Sequence, residues 1–301
     1  MDTGVGLLGL GIMGSAMAAN LLQAGFKVIG FDVSAHRLDA FAEGGGKPAH
    51  SAREVAEQAD IIISVLPSVA ALDDVVGGAD GILAAGRRDL ILVESSTFPI
   101  EDKQRVHALC QRSGITMLDC PLSGTGAQAV SKDLSVYASG EAKACARCAP
   151  VFAGFARSQH YLGEFGNGSK MKFVANLLVA IHNVSTAEAF VLGMKSGLDP
   201  QMIYDVVGDG AGSSRMFQVR GPLMVRGEYE PAAMKVEIWQ KDMKIIADFA
   251  ARLACPTPLL AASAAYYTAA MAQGRGGEDT AAVCAVLEEM ARLQRAPSDP
   301  N

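Results

Sequence analysis

The chain has 301 residues, 50% hydrophobic and 19% charged, which suits one large domain or two ordinary ones with ample core. Its formal net charge is −6 and it has no basic run, which weighs against nucleic acid or an anionic membrane as the main partner. No uninterrupted apolar run reaches the ~18 residues of a membrane span, and the opening "MDTGVGLLGLG" lacks the basic region of a signal peptide. The six cysteines are scattered, and only Cys145 and Cys148 form a C-x-x-C, without a second pair or a nearby histidine. That pair reads as structural, and the balance reads as a reduced, cytoplasmic protein.

In chain order, short apolar runs alternate with helix-like segments. "GVGLLGLG" (Gly4–Gly11) is a strand, and "SAMAANLLQAG" (Ser15–Gly25) is a helix stopped by its glycine. Strands follow at Lys27–Asp32, Asp60–Pro67 and Asp89–Ser96, with helices at Ser51–Ala59 and Ile100–Gly114. Thr116–Pro121 and Leu134–Gly140 continue the pattern. Continuous apolar strands alternating with helices imply a parallel sheet covered on both faces, a Rossmann-type doubly wound α/β domain over residues 1–164. After Gly163 strand signals vanish. Helical patterns at Ser169–Ser196, Pro200–Val207, Val236–Leu253, Pro258–Ala272 and Asp279–Arg295 imply an all-helical domain over 165–296, with 297–301 as a disordered tail. The first of these helices would join the two domains.

"GLGIMG" gives Gly9, Gly11 and Gly14 as G-x-G-x-x-G between a strand and a helix, with Ile12 and Met13 between the last two glycines. Gly9 permits the tight turn, Gly11 lets backbone approach a pyrophosphate, and Gly14 lets helix pack on strand. Asp32 ends the second strand 18 residues past Gly14. A carboxylate there accepts ribose hydroxyls and repels a 2′-phosphate, so NAD is the expected cofactor. His36 and Arg37 just beyond leave NADP tolerable. Strand ends line the cofactor crevice in such sheets, which nominates Leu66, Pro67 and Ser68, and Ser96 and Thr97. The plainer alternative is a pair of polar loops, with Thr97 capping the next helix.

"GNGSKMKFVAN" (Gly166–Asn176) opens the long helix with two lysines. Lys172 and Asn176 are four apart and share a face; Lys170 points elsewhere and reads as solvated. The spacing alone leaves Lys172 as either a base or a surface residue.

Four blocks, in order and spanning nearly the whole chain, resemble the β-hydroxyacid dehydrogenase family, relatives of 3-hydroxyisobutyrate and 6-phosphogluconate dehydrogenases. They are "GLLGLGIMGSAMAANLLQAG", "DCPLSGTGAQA", "GNGSKMKFVAN" and "KDMKIIADFA". The resemblance implies an NAD-dependent oxidoreductase oxidising a small, 3-hydroxyisobutyrate-like hydroxy acid. It implies Lys172 as catalytic lysine and Asn176 holding substrate beside it. Ser123 and Gly124 would bind the substrate carboxylate, and Lys241 would lie near substrate and nicotinamide. Thr125 stands where the family usually has a second glycine, and as part of the same substrate-binding turn it would narrow the pocket or add a hydroxyl contact.

The chemistry fits these roles. Oxidising an alcohol removes a hydride and a proton, and a positioned base must take the proton. A lysine with an ordinary pKa of ~10.4 needs partial burial or a neighbouring cation to serve. Asn176 is neutral and orients without raising that pKa. No zinc-type ligand cluster is visible, so no metal is expected. "GDGAGSSRMFQVRGPL" (Gly208–Leu223) reads as a lid or pocket loop. Its Arg215, Met216 and Phe217 are candidates for the substrate tail, against a plainer reading of Arg215 as surface and Phe217 as core. His182 reads as a core or interface residue. "LLAASAAYYTAAMA" (Leu259–Ala272) suggests an interface or a buried helix, so a homodimer or homotetramer through the helical domain is expected. Rival functions are an NADPH-dependent glyoxylate or semialdehyde reductase, an imine reductase, which would replace the lysine, and a non-catalytic NAD-binding sensor.

Overall fold

The structure is a computed structural model, and residues 3–295 are described; the expected tail at 297–301 lies outside them. Two compact units divide at Phe173 and Val174.

The first unit alternates β1 (Gly4–Leu8), α1 (Ile12–Gln23), β2 (Lys27–Phe31), α2 (Ala35–Glu43), β3 (Lys47–Pro48), α3 (Ala52–Gln58), β4 (Ile61–Ser64), α4 (Val69–Gly77), β5 (Ile91–Glu94), α5 (Ile100–Arg112) and β6 (Thr116–Asp119). These strands form one six-stranded sheet in the order β3-β2-β1-β4-β5-β6, with parallel pairing throughout. Successive side chains on a strand point to opposite faces. Val5, Leu7, Ile61, Ile63, Ile91 and Val93 enter one apolar core, while Leu8, Ile62 and Leu92 enter the other. Both faces are therefore dry, which is why these strands read as unbroken apolar runs.

Then come β7 (Leu122–Ser123), α6 (Gly126–Val130), β8 (Ser135–Ala138), α7 (Ala142–Phe155) and β9 (Ser158–Tyr161). The expectation that the Leu134–Gly140 segment continues the parallel sheet is corrected. β8 lies in a separate three-stranded sheet, antiparallel to β7 and parallel to β9. β7 is two residues long and β9 is largely exposed, so neither produces an apolar run that could be read. Cys145 and Cys148 are buried on α7, and burial pushes their thiols up to about 11 and about 12. Such thiols are inert at neutral pH, in line with a structural pair.

α8 (Asn167–Lys195) passes from the first unit into the second, followed by α9 (Pro200–Gly208), α10 (Arg215–Arg226), α11 (Val236–Arg252), α12 (Pro258–Ala272) and α13 (Val283–Met290). Although no uninterrupted apolar run reaches membrane-spanning length, α8 is long and apolar enough on average, at a mean hydropathy of 1.5. α8 is a core helix: Asn183 Nδ2 donates to Tyr267 Oη at 3.0 Å and to the Thr280 carbonyl at 2.7 Å, and Phe190 is buried.

The expected lid loop at Gly208–Leu223 is also corrected, because Arg215–Arg226 is helical. Gly221 and Pro222 read as breakers, but tertiary contacts override them. Ser214 Oγ accepts the Phe217 N–H at 3.0 Å as a cap. Pro222 has no N–H for the Gln218 carbonyl four residues back. The Tyr204 hydroxyl donates to that carbonyl instead, at 3.2 Å. Phe217 stacks on Phe190 and Tyr204 at centroid distances of 5.7 and 5.6 Å. Phe217 is therefore core, and Arg215 is exposed.

Candidate active site

The three glycines of the first turn answer to different constraints. Gly9 has φ +93°, and a Cβ there would lie 2.2 Å from the Val65 carbonyl oxygen. A Cβ on Gly14 would lie 1.9 Å from the Gly9 carbonyl oxygen. Packing alone demands both. Gly11 is in ordinary extended backbone, and a Cβ on it would meet nothing within 4 Å. The open space beside it lies at the N-terminus of the twelve-residue α1, where backbone N–H groups favour an anion. Ile12 is exposed and Met13 half-buried on the same turn.

Asp32 is buried just past β2. Its Oδ2 accepts the Leu10 N–H at 2.7 Å and its Oδ1 accepts the Ser34 N–H at 2.9 Å. These bonds hold the carboxylate in one orientation, and Oδ1 retains a lone pair for a ribose hydroxyl. Arg37 Nη1 lies 3.4 Å from Oδ2 on a half-exposed side chain. At the next strand end the Leu66 N–H donates to Ser96 Oγ at 2.8 Å, so the two nominated strand ends are joined directly. Pro67 and Ser68 are exposed, and Ser68 caps α4. Thr97 is half-buried, and the cap position of α5 is Pro99, so the capping alternative for Thr97 is corrected.

Ser123 ends β7, and Gly124 has φ +137°, a conformation that favours glycine. Thr125 is the N-cap of α6 in a reciprocal capping box. Its N–H donates to Gln128 Oε1 at 3.0 Å, and its hydroxyl accepts the Gln128 N–H. Gln128 is held in turn by Asp133, at 3.0 Å. The threonine thus rigidifies the turn and occupies its own N–H within it. The turn abuts the nucleotide loop, since a Cβ on Gly126 would lie 2.5 Å from Ile12 Cγ2.

Of the two lysines opening α8, Lys170 is exposed and donates to Asn167 Oδ1 at 3.0 Å, while Lys172 is half-buried. In the second unit Asn176 is buried, and its Nδ2 donates to Asp242 Oδ2 at 3.0 Å. Lys241 Nζ lies 3.6 Å from Asp242 Oδ1. The structure thus gathers Asn176 and Lys241 on one carboxylate that sequence reasoning did not single out. Its only signal was adjacency to Lys241 in the "KDM" block. Trp239 is buried against Tyr267, and His182 is half-buried.

A glycine-rich strand-to-helix turn, an oriented acid after the second strand and a helical unit define a dinucleotide-dependent dehydrogenase. Comparison with known proteins narrows the class. Residues 4–163 match the NAD binding domain of 6-phosphogluconate dehydrogenase. Residues 166–287 match the NAD-binding domain described for NADP-dependent 3-hydroxyisobutyrate dehydrogenase. The chain belongs to the β-hydroxyacid dehydrogenase family, and is an NAD(P)-dependent enzyme acting on a CH–OH group. It is 35% identical to an L-threonate dehydrogenase of Cupriavidus necator, across 95% of this chain and 97% of that one. It is 31% identical to the chloroplastic glyoxylate/succinic semialdehyde reductase 2 of Arabidopsis thaliana, across 94% and 79%. The crystal structure of a 3-hydroxyisobutyrate dehydrogenase from Salmonella typhimurium superposes with a TM-score of 0.85 at 32% identity, covering 95% of this chain and all of that one.

Proposed function

We propose that this enzyme oxidises a small hydroxy acid with NAD, with Lys172 as general base, and that L-threonate is the first substrate to test. The observation that carries the lysine assignment is the contrast at the start of α8. Lys170 is solvated and bound to Asn167, while Lys172 is half-buried three residues past Ser169. Ser169 is hydrogen-bonded to Asp119, at the carboxyl end of β6. In a parallel sheet that edge is where the cofactor binds. The relatives' names support a hydroxy acid as substrate, and L-threonate in particular.

NAD, when bound, supplies the hydride-accepting ring. The chain supplies the rest. Gly11 leaves room for the pyrophosphate, Asp32 accepts the ribose hydroxyls, and Leu66, Pro67 and Thr97 border the crevice. Ser123 and Gly124 take the substrate carboxylate, with Thr125 stiffening the turn. Lys172 accepts the hydroxyl proton. Asn176, fixed by Asp242, orients the substrate oxygen, and Lys241 is held beside the same carboxylate.

The test is Lys172→Met assayed by NADH formation on L-threonate, 3-hydroxyisobutyrate, glycerate, tartronate and L-serine. A base of this kind is worth about 10²–10⁴ in rate, so kcat falls by about that factor while NAD still binds. Unchanged turnover overturns the assignment. A second reading, an NADPH-dependent aldehyde-acid reductase, is favoured by Arg37 beside Asp32 and by the Arabidopsis relative's name. A large preference for NADP over NAD would select it. The exposed Val174 and Leu178 on α8, Met202 and Val206 on α9 and Leu259 on α12 support self-association of the helical unit, which light scattering tests.

A further inference from the structure

Among the described residues of the first unit, two carboxylates and one lysine are fully buried: Glu94, Asp119 and Lys103. Lys103 Nζ lies 2.8 Å from Asp119 Oδ1 and 3.9 Å from Glu94 Oε1. The reaction proposed above uses none of the three. We propose that Lys103 is a positioning residue: through Asp119 it fixes the first turn of α8, and with it the placement of Lys172. This rests on Lys172 being the base.

The first N–H groups of a helix lack intrahelical partners. In α8 the Ser169 N–H donates to Asp119 Oδ2 at 2.7 Å, and the Gly168 N–H donates to Ser139 Oγ at 2.9 Å. Ser169 Oγ also donates to Asp119 Oδ1 at 2.8 Å, and Ser139 Oγ donates to the Asp119 carbonyl at 3.0 Å. Asp119 thus caps a helix some fifty positions later in the chain, with negative charge at the helix's positive end. The seat is tight, since a Cβ on Gly168 would lie 2.5 Å from the Asp119 carbonyl oxygen. Lys172 follows within one turn.

A solitary buried charge is costly. Lys103 supplies the opposite charge 2.8 Å from Asp119, whose two oxygens both accept from Ser169. On its other side Lys103 faces Glu94, whose Oε1 accepts the Ser96 N–H at 2.7 Å and whose Oε2 is bonded by Ser64. Ser96 Oγ in turn holds the Leu66 N–H. One buried ionic set therefore runs from the rim of the nucleotide crevice to the start of the helix bearing the lysine. Apolar residues often match a buried ion set in stability. This set adds a fixed spacing between rim and helix, and a 1 Å misplacement of reacting groups costs about a hundredfold in rate.

The experiment measures Lys103→Met and Ser139→Ala beside Lys172→Met, on full-length enzyme with L-threonate, or with 3-hydroxyisobutyrate if the wild type turns it over faster. Ser139→Ala leaves every charge in place, unpins the Gly168 N–H and removes the hydroxyl donor to Asp119, so it serves where Lys103→Met does not fold. The expected result is a kcat lowered about tenfold or more in Lys103→Met, and severalfold in Ser139→Ala. The NAD Kd should stay within about threefold of wild type, and hydrogen exchange should quicken at the Gly168 and Ser169 amides but not in α1. A purely structural role would lower Tm and leave the kcat of the folded enzyme unchanged. If the variants that fold keep wild-type kcat while Lys172→Met is inactive, the positioning role is overturned and the base assignment stands. If Lys172→Met is fully active, the base assignment fails first, and the proposal with it.

Discussion

Asn176 and Asp242 are joined by a 3.0 Å hydrogen bond between two buried side chains, from Asn176 Nδ2 to Asp242 Oδ2. The other oxygen of the same carboxylate lies 3.6 Å from Lys241 Nζ. Asp242 therefore sets both the rotamer of the amide and the position of the cation. Asp242→Ala leaves a buried amide donor without its acceptor, at a cost of about 1–3 kcal/mol. Steady-state kinetics should show kcat/KM for the hydroxy acid down at least about tenfold, with the NAD Kd unchanged. Unaltered kinetics would remove Asp242 from the site.

The glycines of the nucleotide turn should separate cleanly by substitution. Gly14→Ala forces a Cβ to 1.9 Å from the Gly9 carbonyl oxygen, so backbone must move. Calorimetry should show a loss of at least about 2 kcal/mol, as for overpacked sites. Gly11→Ala meets nothing in the protein, so stability should hold within about 1 kcal/mol while NAD affinity drops about tenfold or more. A Gly11→Ala protein with wild-type NAD affinity would mean that the open space is not the pyrophosphate seat.

Cofactor choice should pivot on the charge of Asp32. Asp32→Asn keeps the size and one acceptor for the Leu10 N–H, removes the negative charge, and releases Arg37 from its 3.4 Å pairing. The ratio of kcat/KM with NADP to that with NAD should rise at least about tenfold, because like-charge repulsion costs several kcal/mol. No change in that ratio would place the discrimination elsewhere.

Stability should carry a pH signature from Glu94. Burial pushes its carboxyl up from the ordinary 4.5, against the opposing pull of Lys103 and of the bonds from Ser64 and Ser96. With the folded pKa above the unfolded one, the folded state binds more protons between the two values. Stability from this group is then full below about 4.5 and falls as pH rises through the folded pKa. Glu94→Gln cannot titrate. Denaturant melts from pH 4 upward should therefore show the wild type losing stability relative to Glu94→Gln as pH rises. A gap that moves the other way would mean that Lys103 outweighs burial.

The sheet was legible because burial on both faces writes itself as apolar runs, and Gly9, Gly14 and Asp32 lie within one strand–helix–strand unit where local spacing suffices. The lysine pair was sorted by helical period, and Lys170 and Lys172 do differ in exposure in the direction that period implied. Thr125 could be recognised as a departure, but the sequence did not say that its N–H would be taken by Gln128.

By itself, then, the sequence determined the alternation of elements, the nucleotide turn and which lysine to examine, all properties of neighbours along the chain. Tertiary structure decided what depends on distant partners. Arg215–Arg226 is helical because Tyr204 takes the carbonyl that Pro222 abandons and aromatic rings clasp Phe217. Leu134–Gly140 leaves the main sheet because its core strand pairs with Leu122–Ser123 and Ser158–Tyr161. Asp119 and Asp242 accept hydrogen bonds from side chains fifty and sixty-six positions away, a separation at which periodicity carries no information.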